Sequence, residues 1–245
     1  MSSGGRRAAL VTGGSAGIGL AIAKVLAQEG HDVMIASRDR ARAETAVDAL
    51  RALGVDVAVH PTDIARDQDV EELVAEHVAR FGVLDVLVNN AGHGGPFAVL
   101  DALPQKEADR VFAVNLRGTY VVTRKCLPLL REAGARHGRA LLVNTSSIAA
   151  KRGLGRIAAY SATKAALVAL SEALREEVAE AGVRVTALCP ALTATPMSEK
   201  GWARRVPLDR MLAPEDLGEV VRLLLNLSPR CQIPEVVLMR AGLEV

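Results

Sequence analysis

The amino-acid sequence predicts an α/β fold, a single-domain three-layer sandwich in which helices cover both faces of a central parallel sheet of about seven strands. Short β-rich apolar runs alternate with longer helical patterns along the 245 residues. The runs are apolar nearly throughout, as expected of strands that are buried on both faces. No internal repeat, low-complexity tract or linker interrupts the alternation, which favours one domain.

Seven runs have the length and composition of strands. In chain order they are RAALVT (7–12), DVMIAS (32–37), VDVAVH (55–60), LDVLVN (84–89), RALLVNTS (139–146), VRVTALC (183–189) and EVVLM (235–239), with helices expected between them. The domain is therefore expected to span residues 7–245, and residues 1–6 are expected to form a flexible tail.

Composition narrows the function classes. The formal net charge is +2, and Lys and Arg are scattered among Asp and Glu, which argues against nucleic acid or a membrane surface as the main partner. The start MSSGGRR lacks the apolar core of a signal peptide, and no apolar run reaches membrane-spanning length, so a cytoplasmic location is expected. Cys126, Cys189 and Cys231 have no short paired spacing, so we expect reduced, buried thiols and no metal site.

The first strand leads into a glycine-rich turn, LVTGGSAGIGLAIAKVLAQEG, with an amphipathic helix directly behind it. Gly13 and Gly17 allow the backbone to approach a pyrophosphate, and Gly19 permits close packing of helix on strand. The helix N-terminus offers free N–H groups to phosphates. A turn that serves packing alone is the alternative, but a strand before and a helix after favour a Rossmann-type nucleotide site.

The second strand ends in IASRDRARAE, where a dinucleotide fold contacts the adenosine ribose. Ser37 and Arg38 occupy the place at which a carboxylate would bind the two ribose hydroxyls and repel a 2′-phosphate. The guanidinium of Arg38 suits a phosphate, so NADP(H) is the expected cofactor. In the alternative, Arg38 is a solvated loop residue and Asp39 binds the ribose of NAD(H).

Tyr160 and Lys164 lie one turn apart on one face of a predicted helix. A free tyrosine has a pKa of about 10, and a nearby ammonium favours the phenolate and lowers that pKa. Ser147 lies just past a strand end, where its hydroxyl can reach the same ligand atom. The three side chains would supply a proton partner, a hydrogen-bond anchor and a cation for a hydroxyl or carbonyl group. A chance YxxxK at a helix start is the alternative.

Five segments occur together and in order: TGxxxGxG at 12–19, NNAG at 89–92, VNLRG at 114–118, Ser147, and YSATK at 160–164. This set resembles the classical short-chain dehydrogenase/reductase family, over about residues 7–227. The resemblance implies a catalytic tetrad of Asn115, Ser147, Tyr160 and Lys164. Tyr160 would be the general acid or base, and Asn115 would hold a water in a proton relay to Lys164.

The resemblance also implies a cofactor site. Asp63 matches a residue that contacts the adenine ring, and Thr195 matches a hydroxyl beside the nicotinamide carboxamide. The residues implied to bind the cofactor are Gly13, Ser15, Gly17, Ile18, Gly19, Ser37, Arg38, Asp63, Asn90, Gly92, Tyr160, Lys164 and Thr195.

Two departures from the family pattern bear on the site. Ala191 stands where the family usually has Gly, so its Cβ is expected to affect the loop beside the nicotinamide. The C-terminus lacks the usual glycine pair and ends in a PEVVL-type strand. A substrate flap is expected over about 196–212, in which Trp202 either covers an apolar ligand or anchors the flap. His93 would lie near the pocket mouth.

The expected activity is NADP(H)-dependent hydride transfer to or from a ketone, aldehyde or secondary alcohol. One alternative is a 3-oxoacyl-[acyl-carrier-protein] or polyketide reductase, for which Lys151, Arg152 and Arg156 would offer a basic surface to an acidic carrier protein. A remote alternative is a dinucleotide-binding protein without turnover. Helices around 101–132 and 160–181 supply dimer faces in the resembling family, so a homodimer or homotetramer is expected.

Overall fold

The computed structural model describes residues 6–201 and 206–241, and within them seven parallel strands form one sheet. The strands are β1 (Ala8–Thr12), β2 (Asp32–Ser37), β3 (Val57–Pro61), β4 (Val86–Asn89), β5 (Ala140–Thr145), β6 (Val183–Pro190) and β7 (Glu235–Leu238). Their order across the sheet is β3-β2-β1-β4-β5-β6-β7. The predicted parallel sheet, strand number and Rossmann-type architecture are confirmed.

Helices connect the strands and cover both faces of the sheet. They are α1 (Gly17–Gln28), α2 (Arg40–Arg51), α3 (Asp67–Phe81), α4 (Gln105–Phe112), α5 (Thr119–His137), α6 (Ala158–Val178), α7 (Pro196–Gly201) and α8 (Pro214–Asn226). A π-helical turn, Ala113–Gly118, joins α4 to α5, and short 3₁₀ turns occur at Leu100–Ala102, Ile148–Ala150, Ala179–Ala181 and Leu208–Arg210. None of the described helices is long and apolar enough to cross a membrane.

The core consists of two apolar layers, one on each face of the sheet. Alternate strand residues enter opposite layers, as Ala9 and Leu10 do in β1, because successive side chains point to opposite faces. Helices α1, α2 and α8 cover one face, where Ile22 and Leu217 are fully buried. Helices α3, α5 and α6 cover the other. Both faces of β1, β4, β5 and β6 are therefore dry, which explains their continuous apolar runs, whereas β7 at the edge of the sheet is only half-buried.

Three sequence-based expectations, two on boundaries and one on cysteine burial, differ from the structure. Arg6, expected in the tail, forms ion pairs with Asp32 and Asp56 and is joined to the edge of the sheet. The helical region expected around 101–132 is divided, because Pro104 precedes α4 and the π-helical turn separates α4 from α5. Cys126 and Cys189 are buried as expected, whereas Cys231 is only half-buried.

The sheet order creates a crevice above the carboxyl ends of β1 and β4. Strand β1 lies between β2 and β4, so the connections leaving β1 and β4 run to opposite sides. In open α/β sheets, ligands bind at such a switch point. The glycine turn after β1 and the NNAG segment after β4 both lie there.

Candidate active site

The segment after β4 is joined to the glycine turn by hydrogen bonds. The Thr12 hydroxyl accepts the N–H groups of Asn90 and Ala91, at 3.0 and 3.1 Å. The Asn90 amide donates in turn to the carbonyls of Thr12 and Gly13, at 3.3 and 3.2 Å. Asn90 therefore fixes the two loops that border the crevice relative to each other.

Glycine is required in the turn by close approach and by backbone conformation. A Cβ built on Gly19 would lie 2.4 Å from the carbonyl oxygen of Gly13 and 2.5 Å from the Asn90 amide nitrogen. Gly17 has a φ of +52°, and its Cβ would lie 2.8 Å from the methyl carbon of Thr195. The structure thus brings Gly13, Gly17, Gly19 and Thr195 together at one border of the crevice.

The N-terminus of α1 faces this crevice with its backbone groups free. Ala16 is the N-cap residue, so no side chain caps the helix, and no acidic residue lies in its first turn. The first N–H groups of α1, including that of Ile18, therefore have no side-chain acceptor. Such a terminus attracts anions through these N–H groups and the helix dipole. The glycine turn that contains Gly13, Gly17 and Gly19, here called the glycine cradle, and the uncapped helix terminus fit the pyrophosphate of a dinucleotide.

The end of β2 carries several polar side chains next to the glycine turn. The Ser37 hydroxyl donates to the Ser15 hydroxyl at 2.9 Å, and Arg38 is exposed beside it. Asp39 is occupied differently, because its carboxylate caps α2 by accepting the N–H of Arg42 at 3.0 Å. The carboxylate that the NAD(H) alternative requires is thus engaged in helix capping, whereas the Arg38 guanidinium faces solvent.

Asp63 lies after β3 and forms an ion pair that the sequence did not indicate. Its carboxylate accepts hydrogen bonds from the Arg110 guanidinium at 2.7 Å and from the N–H of Ala65 at 3.1 Å. Burial acts to raise the pKa of Asp63, but these hydrogen bonds and the charges of Arg110 and Arg38 outweigh it and lower that pKa. Asp63 is therefore ionised and fixed at the border of the crevice.

Asn115 lies in the π-helical turn and is completely buried. Its side-chain oxygen accepts the N–H of His93 at 2.7 Å, and its NH₂ group donates to the His93 carbonyl at 3.0 Å and to the Thr163 hydroxyl at 3.2 Å. π-Turns within helices are frequent at functional sites. The Asn115 side chain thus joins the loop after β4 to helix α6.

Ser147 and Tyr160 meet next to that junction. Ser147 follows β5 in extended backbone conformation, and its side chain lies beside that of Tyr160, on the first turn of α6. Burial raises the pKa of the Tyr160 phenol, and the interaction with the Ser147 side chain opposes that rise without cancelling it. The expected lowering of this pKa by Lys164 is therefore corrected: desolvation is the larger effect, and it keeps the phenol protonated at neutral pH.

Lys164 is a buried cation with one backbone acceptor. Its side chain is one turn from Tyr160, with Nζ 5.5 Å from the ring centroid, and Nζ donates to the Thr145 carbonyl at 2.7 Å. Only 4% of Lys164 is exposed, and burial lowers its pKa from 10.5 to about 8. A Cβ on Gly92 would lie 3.8 Å from Nζ and 3.6 Å from the Asn115 side-chain oxygen. Gly92 therefore leaves space between these two groups.

His93, Gly94 and Ala191 belong to the side of the crevice that was expected to bind the substrate. Gly94 faces the Met197 side chain, and the His93 imidazole lies 3.8 Å from the Glu107 carboxylate. Ala191 does not adopt a left-handed conformation, since Arg156 is the one non-glycine residue with positive φ among those described. Its N–H donates to the Leu238 carbonyl at 2.8 Å, so the Cβ is accommodated. Trp202 lies outside the described residues.

Two groups of residues hold the site together, and of their members the sequence singled out only Asn89, as part of NNAG, and Lys164. Asn89, Asn144 and Ser171 form a buried hydrogen-bonded chain beneath the crevice, with Asn89 and Asn144 paired in register on β4 and β5. The Thr145 carbonyl accepts from Lys164, and the Ser146 hydroxyl donates to the Lys164 carbonyl at 2.7 Å. The motif NTSS contains Asn144, Thr145 and Ser146, but a backbone acceptor leaves no residue signature.

The site has polar donors converging on one cleft and contains no cluster of metal ligands. Among the described residues, no group of three or more His, Cys, Asp or Glu side chains could hold a metal ion. Ser147 and Tyr160 offer hydroxyl groups to one ligand oxygen, with the Lys164 ammonium next to them. This arrangement can bind a carbonyl or alcohol oxygen and transfer a proton to or from it.

Comparisons with known proteins identify the family of the chain. Residues 7–205 match the family model described as short chain dehydrogenase. A Streptomyces coelicolor protein named "Putative ketoacyl reductase" is 35% identical over 238 residues, with 89% of each chain covered. The crystal structure of a Brucella melitensis 3-ketoacyl-(acyl-carrier-protein) reductase with NADH has a TM-score of 0.86 and 34% identity, covering 96% of both chains.

An archaeal structure is similar over an equal length. The alcohol dehydrogenase from Thermococcus sibiricus, complexed with 5-hydroxy-NADP, has a TM-score of 0.88 and 30% identity, covering 98% of this chain and 99% of that one. The similar structures thus contain both nonphosphorylated and phosphorylated dinucleotides, and they are named as a ketoacyl-carrier-protein reductase and an alcohol dehydrogenase.

Proposed function

Because the chain belongs to the short chain dehydrogenase family, whose members are oxidoreductases acting on alcohol and carbonyl groups, we propose that it transfers hydride between NADP(H) and a ketone, aldehyde or secondary alcohol. Tyr160 is the general acid in reduction and the general base in oxidation. The observation that carries this proposal is the position of Tyr160 beside Ser147 and Lys164, whose Nζ lies 5.5 Å from the Tyr160 ring centroid.

The cofactor is held by residues from both sides of the switch point. Gly13, Gly17, Gly19 and the N–H groups of α1, among them that of Ile18, bind the pyrophosphate. Asn90 fixes the cradle, while Gly92 leaves room beside Lys164 and Thr195 contacts the nicotinamide half. When bound, the dinucleotide supplies the hydride for reduction or accepts it in oxidation.

The catalytic side chains have different roles in proton transfer. The raised pKa keeps the Tyr160 phenol protonated at neutral pH, which suits donation to a developing alkoxide. Ser147 orients the substrate oxygen towards that phenol. Lys164, with a pKa of about 8, is mostly cationic at pH 7 and stabilises the phenolate once the proton has left. Asn115 positions the His93 backbone and helix α6 around this cation.

The preference for NADP(H) rests on the end of β2. Arg38 is exposed next to the Ser15 and Ser37 hydroxyls, so it is available to a 2′-phosphate. The competing carboxylate of Asp39 caps α2. Initial rates of NADPH and NADH oxidation with one activated ketone test the preference. The proposal expects a higher kcat/KM for NADPH, and a higher value for NADH would refute the role of Arg38.

A second candidate substrate is a 3-oxoacyl group on an acyl carrier protein or a polyketide. The names of the Streptomyces and Brucella relatives support it. The basic surface is smaller than the sequence suggested, because Lys151 pairs with Glu235 at 2.7 Å. Arg156 is exposed, with its guanidinium carbon 5.8 Å from the Phe97 ring centroid.

Matched substrates separate the two candidates. A 3-oxoacyl carrier protein is compared with the same acyl group on a short thiol and with free ketones. If carrier docking operates, kcat/KM is higher for the carrier-bound substrate, and Arg156→Glu removes that gain while turnover of the short thioester is unchanged. Equal values for both thioesters, or turnover of ketones alone, assign the protein to small-molecule substrates.

The oligomer is part of the proposal. Phe112 and Tyr120, on α4 and α5, are 42% and 51% exposed and lie within the expected dimer face. Large exposed apolar side chains that lie together mark interfaces. We expect light scattering to give the mass of a dimer or tetramer, and Phe112→Glu to lower it; a monomeric wild type would refute this part.

A further inference from the structure

A small cavity of about 40 Å³ lies at the amino edge of the sheet, opposite the catalytic edge. It lies where β1, β4, β5 and β6 begin, and three arginines line it: Arg7, Arg139 and Arg184. Arg184 lies near the start of β6 and Pro190 at its end, and at 3.3 Å per residue the two are roughly 20 Å apart. The cavity, here called the amino-edge cavity, is thus separate from the dinucleotide crevice.

Arg184 is the unusual member of this cluster. Only 8% of it is exposed, and its Nε atom is buried without a hydrogen-bond partner among the described residues. Burial, and then the neighbouring charge of Arg139, lower the pKa of Arg184. A buried charged group without a partner is costly in free energy, so such groups are normally paired.

Two carboxylates, Glu29 and Asp85, also line the cavity, and both have other partners. Glu29 forms an ion pair with Arg222. Asp85 forms one with His137 and also accepts the N–H of Ala8 at 2.9 Å. Arg139 donates to the Leu225 carbonyl at 3.0 Å, and no ion pair of Arg7 or Arg184 occurs within residues 6–201 and 206–241. The cavity therefore has an excess of positive charge.

We propose that the amino-edge cavity binds a small oxyanion, of the phosphate or carboxylate type, between Arg7, Arg139 and Arg184. A guanidinium presents a fork of N–H groups that matches two oxygens of one oxyanion, and three such side chains line this cavity. A volume of about 40 Å³ exceeds the space that one water needs. The anion supplies the countercharge that the protein lacks.

The test compares thermal unfolding of variants in defined anions. Wild type, Arg184→Met and Arg7→Gln are heated in a zwitterionic buffer with increasing phosphate or acetate, and with chloride at matched ionic strength. Arg124→Met is the control, because Arg124 is an exposed arginine on α5 outside the cavity. All four proteins have the same glycine cradle, so binding of an anion there cancels in the differences.

The proposal expects the unfolding temperatures of wild type and Arg184→Met to change order when the anion is added. Without added anion, Arg184→Met unfolds at the same temperature as wild type or above it, because an unpaired buried charge has been removed. With phosphate or acetate at a hundredfold excess over Kd, the unfolding temperature of wild type and Arg124→Met rises by roughly 5–10 °C and saturates. Arg184→Met shows no saturable rise, and Arg7→Gln needs more anion for the same rise.

Three results would overturn the proposal. A parallel rise in all four proteins is a general salt effect. A constant loss of stability in Arg184→Met, independent of the anion, assigns Arg184 a purely structural role in which water fills the cavity. An equal effect of chloride shows a site for spherical ions and excludes the guanidinium fork as the basis of recognition.

Discussion

The glycine cradle after β1 and the polar cluster around Tyr160 lie at the same edge of the sheet, yet different forces define them. In the cradle the limits are steric: a Cβ on Gly19 would meet the Gly13 carbonyl oxygen at 2.4 Å. In the cluster they are electrostatic, because Lys164 and Asn115 are buried and each depends on a few hydrogen bonds. The cradle therefore tolerates no added volume, whereas the cluster tolerates no loss of a partner.

Adding one methyl group to the cradle is expected to have the largest effect. In Gly19→Ala the new Cβ meets backbone, which cannot move aside as a side-chain end can. We expect NADPH affinity to fall by at least about a thousandfold, which corresponds to about 4 kcal/mol. Titration of NADPH by calorimetry measures it.

Gly153→Ala is the matched control for that change. No atom lies within 4 Å of a Cβ at Gly153, and its φ is not positive. It should bind NADPH as wild type does. If Gly19→Ala kept wild-type affinity, the steric account of the cradle would be wrong.

The electrostatic account of the cluster predicts a pH effect on stability. The pKa of Lys164 is 10.5 in the unfolded chain and about 8 in the fold. Between these pH values the unfolded chain holds more protons, so this residue makes the free energy of unfolding rise with pH. From pH 8 to pH 10.5 its contribution is about 3 kcal/mol.

Lys164→Met isolates that contribution. Urea unfolding of both proteins, without cofactor, is measured across this pH range. The raised pKa values of Tyr160, Cys126 and Cys189 act in the opposite direction but are common to both proteins. The difference between the proteins should change by about 3 kcal/mol; identical pH profiles would show that Lys164 is not a desolvated cation.

The buried amide chain beneath the cluster is expected to contribute about 2 kcal/mol per lost partner. Asn144→Ala leaves the Ser171 hydroxyl without its 2.8 Å donor and removes an acceptor from Asn89. A double-mutant cycle with Ser171→Ala, measured by urea unfolding, should show coupling between the two positions. Additive losses would mean that the chain is not one network.

The smallest effect is expected at Arg38, the exposed residue after β2. Arg38→Gln removes the charge assigned to the 2′-phosphate, and we expect the ratio of kcat/KM for NADPH to that for NADH to fall by about tenfold, because the residue is solvated. Arg124→Gln, another exposed arginine, should leave the ratio unchanged. An unaltered ratio in Arg38→Gln would show that Arg38 does not determine the cofactor preference.

The features that the sequence could predict are those that depend on local patterns of residues. The strands were predictable because burial on both faces makes them continuously apolar, and the cradle because Gly13, Gly17 and Gly19 lie within seven residues. Tyr160 and Lys164 were found together because helical spacing is local. Ser147 was assigned to the same site because it follows a predicted strand end, whereas the role of Asn115 came only from the family resemblance.

What could not be predicted depends on tertiary contacts. The Asp63–Arg110 ion pair joins residues 47 apart in sequence. The Lys164 acceptor is the Thr145 carbonyl, which every residue type would offer. The pKa of Tyr160 was expected to fall and instead rises, because the extent of burial is a property of the packed fold and not of the YxxxK spacing.

The central claim is that the Tyr160 phenol transfers the proton in an NADPH-dependent reduction. Its most direct test is the turnover of Tyr160→Phe, with Tyr120→Phe as control, since Tyr120 is the other tyrosine of the chain and is 51% exposed. We predict that Tyr160→Phe loses roughly 10²–10⁴-fold in kcat, while Tyr120→Phe retains wild-type turnover. Full turnover by Tyr160→Phe would contradict the claim.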